Sequence, residues 1–270
     1  MLLRQSLART AFPHNTHYPY LAGASSLSRR SLQVRGMAGS AIKDKVVVVT
    51  GANRGLGLEW ARQLVSKGNK VIGSCRNPSE AAELQKLGVA HIAKLDVADP
   101  SSIESWGRDL AGQVDHIDVV INNAGVYGRR VDYATVTADD MLFTYRANTI
   151  GPLLIVQQLL KNRLIGKPGS VVGNVTSKVG SVEDNGSGGS YAYRASKSAL
   201  NNVNKSLSID LGSEGVTCVL LHPGYVRTDM TGQNGLIDVD ESVSGMMSVL
   251  ESDLPLNGRW YDFKRETIPW

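Results

Sequence analysis

The sequence predicts an α/β domain built on a doubly wound parallel sheet. Two observations carry this: from residue 43 onward short strand-like runs alternate with amphipathic stretches, and those runs are apolar on both faces, as strands covered by helices on either side must be. A third shows where the alternation starts, because the first run leads straight into a glycine-rich turn that opens a helix.

Residues 45–50 are a β-branched run and read as the first strand. Residues 56–67 read as a helix closed by Gly68, and 70–75 as strand again. Residues 79–87 are expected to be helical and 91–95 extended. Pro100 stands just before a helix over 101–110, and 118–122 is extended. Residues 137–163 read as one long helix that Gly151-Pro152 can bend. A strand over 170–174, a helix over 191–211 and a strand over 217–222 complete a Rossmann-type alternation with no internal repeat.

Length and composition place this alternation in one domain, residues 43–270, after a leader of residues 1–42. The net charge of +4 is uneven: residues 1–43 hold six basic residues (Arg4, Arg9, Arg29, Arg30, Arg35, Lys43) and no acid. Removing those six leaves 23 basic against 25 acidic residues, so the body is slightly acidic and its charge gives no reason to expect nucleic acid. An acid-free leader rich in Arg, Ser and Ala has the composition of a transit peptide for a mitochondrion or plastid. The alternatives are a tail without an address and a cytoplasmic form starting at Met37. Cys75 and Cys218 both lie in strand-like runs, which argues against a disulfide framework and for a reducing compartment. No apolar run approaches the roughly 20 residues of a membrane-spanning helix.

The turn after the first strand reads Thr50-Gly51-Ala52-Asn53-Arg54-Gly55-Leu56-Gly57. Glycines there let the chain turn sharply and let a pyrophosphate approach free N–H groups at a helix N-terminus. Asp96-Val97 follows the third strand and Asn122-Asn123-Ala124-Gly125 ends the fourth. Asn148 and Gly151 lie in the long helix, and Ser177 follows the fifth strand. Tyr193-Arg194-Ala195-Ser196-Lys197 gives YxxxK, and Pro223-Gly224 with Thr228 follows the sixth strand. In this order the set resembles the short-chain dehydrogenase/reductase family over about residues 43–270.

Tyr193 and Lys197 are four residues apart on one helix, so they share a face. A phenol of ordinary pKa about 10 is a poor acid or base near neutrality, and the Lys197 ammonium is expected to bring it closer to working pH. Ser177 can donate to the substrate oxygen, where negative charge develops as hydride arrives. The resemblance implies that Lys197 also bonds the nicotinamide ribose, that Asn148 holds a water beside it, and that Tyr193 donates the proton. It further implies that the glycine turn, Val97, Asn123-Ala124-Gly125 and Pro223, Gly224, Val226 and Thr228 line the dinucleotide. The chemistry calls for no metal.

Competing polar residues have plainer readings. Tyr191 lacks a lysine four residues on, Thr176 suits a strand end, and His222 before Pro223 and Cys75 suit packing. Where an NAD site carries an acid after the second strand, this chain has Ser74-Cys75-Arg76. Arg76 and Arg54 can instead hold a 2′-phosphate, which favours NADP(H). Asp96 is left either for the adenine amino group or for a helix N-cap.

The segment 174–201 and the terminal Ile268-Pro269-Trp270 resemble the sniffer and C-factor type carbonyl reductases. That resemblance implies NADPH-dependent reduction of a small or lipophilic carbonyl substrate, and assembly as a homodimer or homotetramer. Two alternatives stay open: an alcohol or hydroxysteroid dehydrogenase working oxidatively, and a dinucleotide-binding sensor without turnover.

Overall fold

The computed structural model describes residues 40–166 and 169–270, so the expected leader and Met37 lie outside the described residues except for the leader's last three. Of these, Ile42 is buried, donates its N–H to Glu251 Oε1 at 2.8 Å, and accepts from Asn69 Nδ2 at 2.9 Å.

Seven strands form one sheet among the described residues: β1 (Val46–Thr50), β2 (Lys70–Cys75), β3 (His91–Lys94), β4 (Val119–Asn122), β5 (Ser170–Val175), β6 (Val216–His222) and β7 (Trp260–Asp262). All pair in parallel in the order β3-β2-β1-β4-β5-β6-β7. The order runs outward from β1 in both directions, so a crevice opens at the carboxyl ends of β1 and β4. The helices are α1 (Gly55–Ser66), α2 (Ala82–Lys86), α3 (Pro100–Ala111), α4 (Ala138–Tyr145), α5 (Gly151–Lys161), α6 (Tyr191–Asp210) and α7 (Val239–Leu250).

Alternation along the strands divides the core between two faces. Val47 and Val49 of β1 pack with Trp60 and Leu64 of α1 and with Val243 and Met246 of α7. Val48, between them, faces the other way onto Ile103 and Trp106 of α3 and Ile155 and Leu159 of α5. A smaller cluster joins Leu200 of α6 to Leu220, Trp260 and Ile268. Because α7 shares the α1 face, the connection from β6 to β7 crosses on the side opposite to the connections through α3 and α5. It therefore reverses their hand, against a rule that holds for about 98% of such units.

Two expected elements differ in detail. The stretch 79–87 is a 3-10 turn, Pro78–Glu80, followed by the short α2, since Pro78 sets the first turn. The expected long helix is α4 and α5 joined through a π-helical segment, Arg146–Ile150, with Gly151 N–H donating to Arg146 O. Pro152 stands at the start of α5, where its missing N–H does no harm. The elements α7 and β7 lie beyond the last expected strand.

Candidate active site

The glycine turn is shaped for an anion. Gly51 has φ of +65°, and a Cβ on Gly57 would stand 2.1 Å from Gly51 O, so only glycine fits there. Asn53 is exposed and Leu56 partly buried. The N-terminus of α1 has no capping side chain and no acid in its first turn, whereas Asp99 caps α3 and a Thr137–Asp140 box caps α4. The first-turn N–H groups of α1 are thus left for a ligand, and their fit is to a pyrophosphate. Asn123 braces the turn by donating its side-chain amide to Thr50 O at 3.0 Å, while Thr50 Oγ1 accepts from Asn123 N and Ala124 N. The Thr228 γ-methyl lies 3.8 Å from where a Gly55 Cβ would stand, so the loops after β1, β4 and β6 converge here.

Arg76 is exposed at the end of β2, and no carboxylate follows that strand. Arg54 is exposed and pairs with Asp229 at 3.3 Å. Asp96 accepts from Ala98 N through Oδ1, and the cap of α3 belongs to Asp99, so Asp96 is not that helix's N-cap. The Val97 carbonyl lies so close to Gly151 that a Cβ there would stand 2.4 Å from it.

The structure brings together the four residues expected to do chemistry. The Ser177 hydroxyl lies on the Tyr193 phenol's side of the site and acts to lower the phenol's pKa. Lys197 Nζ lies 5.8 Å from the centroid of the Tyr193 ring and donates to Val175 O at 2.9 Å. Asn148 sits in the π-helical segment, fully packed: its Oδ1 accepts from Val126 N at 2.8 Å and its Nδ2 donates to Val126 O and Ser196 Oγ. Asn148 Oδ1 and Lys197 Nζ both border Gly125. Burial pushes the phenol up to about 12, against the pull of the Ser177 hydroxyl and with a further push from Tyr127. Burial also brings Lys197 down to about 8. The expected drop of the phenol toward neutrality is therefore reversed, with desolvation by burial the largest cause.

Helix α6 is held to the sheet by polar contacts. Asn122 Nδ2 donates to Asn174 Oδ1 and Asn174 Nδ2 to Asn204 Oδ1, each at 2.8 Å, while Thr176 Oγ1 donates to Asn201 Oδ1 at 2.7 Å. Thr176 thus supports the strand end. Tyr191 is 42% exposed and outside the cluster, and Cys75 is buried. His222 is packed: it accepts from Lys178 N at 3.3 Å, and burial lowers it to about 4. Pro223 O accepts from Ser242 Oγ, and Gly224 has φ of +85°. Val226 is buried, and its carbonyl accepts from Thr231 Oγ1 at 2.7 Å.

Three further residues shape the site. The Tyr127 ring stacks at 4.8 Å on that of Tyr193, and its hydroxyl lies 2.6 Å from Ser190 Oγ. Ser190 precedes α6 in a left-handed conformation, φ +49°. Arg194 donates to Val179 O, Ser187 Oγ and Gly188 O, clamping the segment between Ser177 and Tyr193. The one sequence signal for Arg194 is its place inside YxxxK; Tyr127, two residues after Gly125, carries none.

Comparison with known proteins agrees with this geometry. The family described as short chain dehydrogenase matches residues 45–236. The C-signal protein of Myxococcus xanthus is 42% identical over 155 residues, 57% of this chain and 93% of that protein. An NADPH-bound carbonyl reductase from chicken fatty liver is 34% identical with a TM-score of 0.77, covering 84% of this chain and all of that one. The carbonyl reductase Sniffer of D. melanogaster is 30% identical with a TM-score of 0.76 over the same shares.

Proposed function

Since the chain belongs to the short-chain dehydrogenase family and is an oxidoreductase, we propose that it reduces the carbonyl of an aldehyde or ketone to an alcohol with NADPH. The observation that carries this reading is the grouping of Ser177, Tyr193 and Lys197, with Lys197 Nζ 5.8 Å from the centroid of the Tyr193 ring. NADPH supplies the hydride. Ser177 and Tyr193 donate hydrogen bonds to the substrate oxygen and stabilise the charge that develops on it. Tyr193 then gives up its proton, and the Lys197 ammonium beneath the ring stabilises the phenolate left behind. A phenol with a pKa near 12 is protonated throughout the neutral range, as a proton donor must be. Arg76 and Arg54 would hold the 2′-phosphate, and the α1 N-terminus the pyrophosphate. Exposed Val182, Tyr225, Met230 and Leu236, on the loops after β5 and β6, suit a lipophilic substrate.

The test is NADPH consumption with a panel of reactive aldehydes and diketones, beside NADH and beside Tyr193→Phe. Turnover that prefers NADPH and vanishes in the variant supports the proposal; dinucleotide binding without turnover on the whole panel leaves the sensor reading. Import of the chain into a mitochondrion or plastid, and assembly as a homodimer or homotetramer, belong to the same proposal. Light scattering of the purified protein checks the assembly.

A further inference from the structure

Five cationic side chains stand on the loops that follow β1, β4, β5 and β6: Arg54, Arg129, Arg130, Lys178 and Arg227. Four are neutralised. Arg54 pairs with Asp229 at 3.3 Å, Arg129 with Asp140 at 3.4 Å, Lys178 with Asp184 at 3.4 Å and Arg227 with Asp238 at 2.7 Å. Arg130 has no carboxylate partner among the described residues. Asp132, two residues on, is engaged by its own turn, accepting from Ala134 N, Thr135 N and Thr135 Oγ1.

What Arg130 does touch is the reaction centre's aromatic wall. Its guanidinium carbon lies 5.3 Å from the centroid of the Tyr127 ring, and that ring is the one stacked on Tyr193. Tyr127 is itself fixed through its hydroxyl by Ser190, so the guanidinium lies against an anchored platform. A cation over a ring face uses no N–H donor, so the planar fork keeps its hydrogen-bonding capacity. A guanidinium with donors to spare and no counter-ion recognises a carboxylate or a phosphate.

We propose that Arg130 is the substrate-side anion anchor: the carbonyl compound this protein reduces carries an oxyanionic group, held by Arg130 while the carbonyl meets Ser177 and Tyr193. This rests on the carbonyl-reductase reading and narrows it to amphipathic oxo acids or their phosphate-bearing counterparts.

The experiment uses methyl-ketone carboxylates of increasing chain length, each beside its methyl ester, with phosphonate analogues as a separate arm. Wild-type kcat/KM should favour acid over ester by at least about tenfold at one chain length, the size expected of one charge-assisted contact. Arg130→Gln should collapse that ratio toward unity, and Arg130→Lys should restore part of it. Arg129→Gln changes net charge equally but removes a guanidinium that is already paired, so it should keep the ratio within about twofold. A preference for phosphonate over carboxylate would assign the anion as phosphate. Equal turnover of acid and ester, or equal effects of the Arg129 and Arg130 variants, would overturn the anchor. If no carbonyl compound is turned over, calorimetry of the matching alkanoates with the NADP+ complex decides the matter separately. Binding that Arg130→Gln abolishes upholds the anchor while the reductase reading falls; absence of binding ends both.

Discussion

The Tyr127 ring lies 4.8 Å from the Tyr193 ring, tilted by 32°. The second tyrosine both shields the first from water and adds a like-charge obstacle to its ionisation. Replacing Tyr127 by leucine should therefore bring the Tyr193 phenol down from about 12 toward its ordinary value. Ultraviolet titration of the variant, with a Tyr193→Phe background subtracted, reads the shift without needing turnover. An unmoved titration would mean that the stack is only packing, with the loss of about 1 kcal/mol typical of an aromatic pair.

Tyr193→Phe keeps the ring and the stack and removes only the transferable proton. Turnover should fall by about two orders of magnitude or more, with the dissociation constant for NADPH unchanged. Retention of more than about a tenth of the rate would remove the tyrosine from its role.

Arg76→Ala combined with Arg54→Ala should weaken NADPH at least about tenfold more than NADH, since each lost phosphate contact is charge-assisted. Asp229→Asn acts in the opposite sense, because it releases Arg54 from an exposed pair. Its gain in NADPH affinity should be no more than about fivefold, the worth of a surface ion pair. Equal losses for both dinucleotides in the double variant would place the arginines at the pyrophosphate or in the scaffold.

His222 titrates near 4 when folded and near 6.5 when not, mainly because it is buried. Between those values the unfolded chain binds more protons, so stability should be lost as the pH falls through the window from about 6.5 to 4. Melting temperature against pH for wild type and His222→Gln tests this. The variant should lose less over that interval, and parallel curves would contradict the assignment.

A chain beginning at Met37 retains Ile42 and both of its backbone contacts, so it should melt and turn over like the full chain. A reporter fused to residues 1–36 should enter a mitochondrion or plastid. A reporter that stays in the cytosol ends the transit proposal.

The sheet's first six strands were legible because all but the edge strand β3 are runs buried on both faces, and the catalytic four because spacing on one helix and position at strand ends are written in the chain. Helix α7 was not: its twelve residues include three valines, three serines and Gly245, all weak helix formers, and packing on α1 supplies what propensity lacks. β7 is only three residues long, and the hand of its crossover runs against the usual rule. The contact of Tyr127 with Ser190 spans 63 positions, so no local pattern announces it. The sign of the Tyr193 shift escaped for a similar reason, since YxxxK specifies the neighbour but not the depth of burial.

The π-helical segment at Arg146–Ile150 works as a phase slip between two helix faces. A π turn carries a surplus residue relative to an α turn, and each residue rotates the helix by about 100°. Upstream, α4 is turned toward α6, with Thr144 Oγ1 donating to Ala192 O; downstream, α5 is turned toward Trp106 of α3. Excising one residue from the segment would restore plain α-helical winding and force a choice between the two faces. Either α4 would lose its seat on α6 beside Tyr193, or Ile155 and Leu159 would rotate out of the core. A helix that looks continuous in the sequence is thus divided into two halves whose faces are offset by a fixed angle, and Asn148 stands at the joint.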